Sequence, residues 1–226
     1  MNFVTLPALS KIPFIVHGFT LRKLDNGQNF DLNLYNCNRS NHVEKNLKKL
    51  TKLIGFPSTP VISCRQVHHN KIINVDLQKN TPQKIQKMPG DGLLTNQPNV
   101  ILAVLTADCL PILLIDKKQK AIAAIHAGRK GTMLSIVEKA IDQMGILFGT
   151  MPEDLIVGIG PGIRKCCYEV DILEHNLRQI MYKGVLKENI FSLDQCTSCK
   201  KDIFFSYRAE KGKTGRMFGF IMIKNS

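Results

Sequence analysis

Apolar and polar positions change rhythm along the chain, and each rhythm predicts an element. A short β-like run, Pro13-Phe14-Ile15-Val16-His17-Gly18-Phe19, leads through a polar Asn/Asp/Gly-rich loop at 25–33 into a helix. Asn41 reads as its N-cap with Glu44 three residues on. Val43, Leu47, Leu50 and Ile54 recur at helical spacing, and Gly55 with Pro57 ends it. Residues 76–90 show no periodicity and are predicted to be a connecting loop. Val100–Leu105, Ile112–Ile115 and Ala121–Ile125 are apolar at successive positions, as in strands buried on both faces, and are predicted to form the core of a sheet. From Thr132 the period becomes helical through Met133, Ile136, Val137, Ala140, Ile141 and Met144, with Gly145 as the stop. Leu155–Ile159 reads as another strand. The helix over Asp171–Tyr182 should bury Leu173, Leu177, Ile180 and Met181. Ile203–Tyr207 and Met217–Ile223 read as a hairpin. With no internal repeat, the order predicts a single α+β (α/β) domain over residues 1–226, a mixed sheet covered by helices in a layered sandwich.

Composition narrows the class. At 44% hydrophobic and 22% charged, 226 residues are ordinary globular material, which excludes disordered, collagenous and coiled-coil readings. Thirty-one Lys+Arg against 18 Asp+Glu leave a charge of +13, suited to an anionic partner such as nucleic acid, a lipid surface or a phosphorylated small molecule. No apolar run approaches the ~20 residues of a membrane span. Lys11 follows the first apolar stretch instead of preceding it, and Pro7 and Pro13 interrupt that stretch, so a cytoplasmic location is expected. The seven cysteines then read as thiols or thiolate ligands, not as structural disulfides.

Metal-competent residues stand at the ends of apolar runs: His68 and His69 after Val61–Ser63, Cys109 after Val100–Leu105, and His126 after Ala121–Ile125. Strand ends gather in space when strands are neighbours. Two imidazoles and one thiolate form a ligand set for Zn²⁺ that leaves a fourth position for water or substrate, as in a catalytic site. The competing reading makes His126 a packed core residue and Cys109 a small buried hydrophobe. The spacing alone leaves both open.

The motifs Arg65-Gln66-Val67-His68, Asp91-Gly92-Leu93-Leu94-Thr95, Thr106-Ala107-Asp108-Cys109-Leu110-Pro111, His126-Ala127-Gly128-Arg129-Lys130-Gly131 and Ile159-Gly160-Pro161-Gly162-Ile163 follow one another in order. Tyr168-Glu169-Val170, Ser206-Tyr207-Arg208 and Thr214-Gly215-Arg216 continue the series. Together they resemble the laccase-domain purine nucleoside phosphorylase family, formerly described as multicopper polyphenol oxidases and including a bacterial peptidoglycan editing factor. The resemblance implies zinc ligands at His68, Cys109 and His126. It further implies phosphorolysis of adenosine, inosine, guanosine and methylthioadenosine, together with adenosine deamination. It points to Arg22 as a residue of the activity. Three departures stand out: His69 where Gly is common, Arg129 where many members have Trp, and Arg22-Lys23-Leu24-Asp25-Asn26-Gly27 in place of a Ser/Gly-rich turn.

Several assignments keep two readings. Arg22 can hold phosphate or stabilise transition-state charge, or be an exposed loop arginine. Asp108 can orient a ligand imidazole or take a proton from water, or cap the following turn. Cys109 becomes the nucleophile instead of a ligand if the chain hydrolyses an amide in peptidoglycan precursors. A copper-dependent polyphenol oxidase is the other alternative, although six histidines are few for a multicopper cluster. Gly158-x-Gly160-x-Gly162 lacks the rest of a phosphate loop and reads as a packed turn. Cys166-Cys167 with Cys196-x₂-Cys199 suggests four thiolates on one ion, but adjacent cysteines and the lack of a second Cys-x₂-Cys knuckle argue against it. The aromatics among the basic residues 200–213 are assigned to the hairpin, and no specific nucleic-acid partner is expected.

Overall fold

Strands with both faces covered must lie between two other layers, and the uninterrupted apolar runs are built that way. The computed structural model describes residues 2–34 and 40–225. Its elements in order are β1 (Phe3–Val4), α1 (Pro7–Ser10), β2 (Ile15–Thr20), α2 (Ser40–Leu53), β3 (Val61–Ile62), β4 (Ile72–Asn74), α3 (Pro82–Lys87), β5 (Gly92–Thr95), β6 (Ile101–Thr106), β7 (Leu110–Asp116), β8 (Ala121–Ala127), α4 (Arg129–Met133), α5 (Ile136–Phe148), β9 (Leu155–Ile159), α6 (Ile172–Tyr182), β10 (Ile190–Ser192) and β11 (Met217–Ile223).

Two mixed sheets result. One runs β1-β2-β11-β6-β3 and the other β10-β9-β7-β8-β5-β4. Leu102, Val104 and Ile221 of the first meet Leu113, Ile115, Ile122 and Ala124 of the second in a shared core. The alternate residues face outward to helices. Ile101, Ala103, Phe218 and Phe220 pack beneath Leu50 of α2, and Ile112, Leu114, Ala123 and Ile125 beneath Ile136, Ala140, Ile141 and Met144 of α5 and Ile180 of α6. The period of two along each strand thus serves two interfaces at once. The architecture is a helix–sheet–sheet–helix sandwich, the layered mixed α/β fold expected, with the three central runs divided between two sheets. Among the described residues, no helix is long and apolar enough to cross a membrane.

The differences in detail have local causes. A short helix, α3, interrupts the expected loop at 76–90: Thr81 Oγ1 accepts from the Lys84 N–H at 3.3 Å, Pro82 opens the helix, and Ile85 is buried. Ser40 is already helical, so Asn41 lies inside α2 instead of capping it. The helix expected from Thr132 is broken at Ser135, whose φ is +53°, leaving Met133 exposed in α4. It stops at Gly149 rather than Gly145, because Gly149 adopts φ +72° and donates to the Gly145 carbonyl. In α6, Asp171 accepts from the Glu174 N–H, Ile172, Asn176 and Ile180 face inward, and Met181 is exposed. No hairpin forms at the end of the chain. Ile203–Tyr207 is a series of turns, and β11 instead lies between β2 and β6, antiparallel to both. Phe204 and Phe205 bury themselves against Ala107 and Met217, and that burial replaces strand pairing. The glycine run ending β9 serves close packing: a Cβ on Gly160 would stand 2.4 Å from the Phe19 ring and 2.7 Å from Pro111.

A buried histidine lies against the shared core. His17 shares a strand face with Ile15 and Phe19, and its Nε2 accepts from the Leu6 N–H at 3.0 Å. Burial pushes its pKa down from 6.5 to about 4. The folded state therefore favours the neutral ring, and its contribution is complete above pH 6.5 and lost as pH falls toward 4. The shift corresponds to about 3 kcal/mol. Denaturant unfolding across that window should show the wild type losing stability steeply with acid, and His17→Gln, which keeps an acceptor but does not titrate, losing it less.

Candidate metal centre and cavity

Three donors converge where the sheets meet. Ala107, Asp108 and Cys109 carry the chain from β6 in one sheet to β7 in the other, placing Cys109 at the crossing. His126 belongs to β8, opposite Pro111 of β7. His68 arrives from the loop after β3. One nitrogen of each imidazole and the Cys109 sulfur all lie within 4.8 Å of one another, and the two rings meet edge to face at 4.8 Å. A divalent ion with bonds of about 2.0–2.3 Å fits such a set. Exposure falls from His68 through Cys109 to His126, so the cluster opens on the His68 side.

Asp91 holds this geometry. It is fully buried, and its carboxylate accepts from the N–H groups of Val67 (3.1 Å), His68 (2.9 Å) and His69 (2.8 Å). It also receives His126 Nδ1 at 2.9 Å, which turns Nε2 toward the cluster. One acid thereby fixes the backbone that carries one imidazole and the tautomer of the other. It also explains the φ of +56° at His68, a conformation that this ring of donors stabilises. Gln66 pins the same loop to β6 through reciprocal hydrogen bonds with Leu105, at 2.7 and 2.8 Å.

Electrostatics follow from the packing. Burial disfavours a thiolate at Cys109, but the adjacent His126 charge and hydrogen bonds from His126 and His68 outweigh it, so the thiol is held below its ordinary pKa. Burial likewise opposes charge on His126, and the Cys109 thiolate and Asp91 together raise it. Asp91 remains ionised against its own burial because His126 and the loop N–H groups stabilise the carboxylate. The sulfur is therefore prepared as an anionic donor.

A cavity of about 1280 Å³ opens from the cluster. Tyr168, Tyr207, Met133 and Ile172 supply aromatic and apolar wall, while Arg129, Lys130, Arg208, Lys211 and Arg216 supply positive charge. The Arg208 guanidinium lies over Tyr168 at 5.2 Å and that of Arg216 over Tyr207 at 5.7 Å. Arg129, the departure from the usual Trp, reaches this wall and pairs with Glu169 at 3.0 Å.

The structure separates the remaining candidates. Asp108 meets neither imidazole. Its oxygens accept from Thr197 Oγ1 at 2.6 Å and the Arg208 N–H at 2.7 Å, and its φ is +94°. Asp108 thus ties the segment 197–208 to the crossing, and the carboxylate that orients an imidazole is Asp91. Arg22 does not line the cavity. It pairs with Glu210 at 2.8 Å, donates to the Lys201 carbonyl and lies over Phe205. His69 turns away to Asn70. Sequence reasoning missed Asp91, although its Asp-Gly step stood in a quoted motif, because a carboxylate serving backbone donors leaves no periodic signal.

Asp91→Asn leaves buried donors unpaired and should destabilise the fold by about 3–5 kcal/mol while weakening divalent-metal affinity about 10–100-fold. A Cβ on Gly128 would stand 2.8 Å from the Cys109 sulfur. Gly128→Ala should therefore lower metal affinity with a much smaller loss of stability. Unfolding midpoints and metal titration of both variants test this separation.

The comparisons with known proteins agree with this fold. The family model described as multi-copper polyphenol oxidoreductase laccase matches residues 16–172 and 170–224. A purine nucleoside phosphorylase of Clostridium acetobutylicum is 34% identical over 99% of this chain and 100% of its own length. YlmD of Geobacillus stearothermophilus, also named a purine nucleoside phosphorylase, is 30% identical over 79% of this chain and 78% of its own. The crystal structure titled YlmD from Geobacillus stearothermophilus superposes with a TM-score of 0.91 at 26% identity, covering 100% of this chain and 97% of that one. The chain belongs to this laccase-domain family of purine nucleoside phosphorylases.

Proposed function

We propose that this chain is a zinc-dependent purine nucleoside phosphorylase that also deaminates adenosine, acting on adenosine, inosine, guanosine and methylthioadenosine. The observation that carries this reading is the His68–Cys109–His126 cluster opening onto a cavity with aromatic walls and a cationic rim. The names of the curated relatives support the purine nucleoside phosphorylase part of this reading.

His68, Cys109 and His126 would hold the ion; a thiolate with two imidazoles and an open fourth position suits catalytic zinc, and because the same donor set also binds copper, elemental analysis distinguishes the two. When bound, zinc supplies Lewis-acid polarisation and a lowered pKa for water. The protein does the rest. Tyr168 and Tyr207 offer planar faces for a purine. In phosphorolysis an oxygen of phosphate forms a bond to C1′ of the sugar as the C1′–N9 bond breaks, its electron pair leaving with the base. Arg208, Lys211 and Arg216 are placed to hold that phosphate, the role considered for Arg22. Arg22 serves indirectly, bracing the rim segment through Glu210 and Phe205. Asp108 acts similarly from beneath, through Thr197 and Arg208.

The decisive assay follows adenosine with and without phosphate, scored for adenine, inosine and hypoxanthine. Adenine should require phosphate, and inosine should form without it. Cys109→Ala or His126→Ala should abolish both activities together and lower zinc content, whereas full turnover by metal-free protein would overturn the assignment. Arg208→Ala should raise the phosphate KM about tenfold, the loss of roughly one charge-assisted hydrogen bond.

A further inference from the structure

Outside the cavity the chain folds four cysteines onto one another. Cys166 and Cys167 follow β9, and Cys196 and Cys199 lie beyond β10. The sulfurs of Cys166 and Cys167 are 3.5 and 3.4 Å from that of Cys199, and all four lie within 4.8 Å of one another. Four sulfurs on a tetrahedron with bonds of about 2.3 Å stand roughly 3.8 Å apart, so this spacing matches one zinc-sized ion. The vicinal pair, which argued against a site in the sequence, is no obstacle here, since both sulfurs reach the same partner.

The surroundings carry further signs. The backbone N–H groups of Arg164 and Cys199 favour the thiolate form of Cys196. The Arg164 guanidinium is buried close by. Its Nε stands 3.2 Å from Asp194, and its two terminal nitrogens have no hydrogen-bond partner. An incompletely partnered cation costs free energy unless negative charge lies near it, and four thiolates on a divalent ion carry a net charge of −2.

We propose that Cys166, Cys167, Cys196 and Cys199 bind a second, structural zinc ion, separate from the His68–Cys109–His126 centre. The two segments already meet through reciprocal backbone bonds: the Gly162 N–H donates to the Gln195 carbonyl and the Thr197 N–H to that of Gly162. Both continue into the cavity wall, one to Tyr168 and the other to Tyr207 and Arg208. The ion would staple them where no regular ladder does. With all four positions filled by protein, this ion would have no place for substrate. The site stands whether or not the chain acts on nucleosides.

The test is metal content, with no assay of activity. Chain purified under reducing conditions and dialysed with zinc should carry two equivalents by elemental analysis. His68→Ala with Cys109→Ala and His126→Ala should carry one, as should Cys166→Ser with Cys199→Ser. Cobalt exchanged into the triple alanine variant should show the intense sulfur-to-cobalt charge-transfer band of a tetrathiolate, which identifies the ligands even if the serine variant fails to fold. One equivalent in the wild type that is lost with the triple alanine change, or a cobalt spectrum lacking that band, would overturn the proposal. So would intact masses short of two hydrogens under the same conditions, since they would show a disulfide in place of the ion.

Discussion

A single buried carboxylate, Asp91, sets the geometry on which the centre depends. Bulk water normally solvates such a group, and here three successive backbone N–H groups and one imidazole replace that water. The exchange works in both directions. The loop after β3 gains an anion that stabilises its left-handed turn, and the anion gains enough donors to stay charged without solvent. A neutral residue of the same size could not satisfy both sides. The positions of His68 and His126 are therefore one property of the fold and not two.

The sandwich explains why this carboxylate can stand where it does. Asp91 immediately precedes β5, and its carbonyl accepts from the His126 N–H at 2.7 Å, so the main chain extends the β5–β8 ladder to the residue before the strand. The acid is thus held by regular sheet structure, while the groups it organises lie on a loop. Rigid strands on one side and a shaped loop on the other give a centre whose donors need little reorganisation.

Much of this was legible in the chain. Strands buried on both faces leave apolar residues at every position, so β6, β7 and β8 announced themselves, and the donors that close those runs converge where the two sheets meet. What failed was non-local. Ile203–Tyr207 has the aromatic-rich composition of a strand, yet Phe204 and Phe205 found a pocket beside Met217 and the segment turned into the cavity rim. Arg22 follows β2, but a salt bridge to Glu210, 188 positions away in sequence, holds it off the cavity. The four cysteines were legible as candidates but weighed too low, because their two halves are brought together only by the return of the chain alongside β9. The α3 helix was legible in principle from Thr81-Pro82, and its shortness hid it.

The crossing from β6 to β7 has a mechanical consequence. Cys109 sits on the strap that joins the two sheets, while His126 is embedded in one sheet and His68 hangs from the loop that Gln66 pins to the other. Any shear of one sheet over its partner changes the triangle formed by these atoms, so donor spacing gauges sheet alignment. A substitution deep in the interleaf core, remote from the cavity, can therefore detune the centre without touching it.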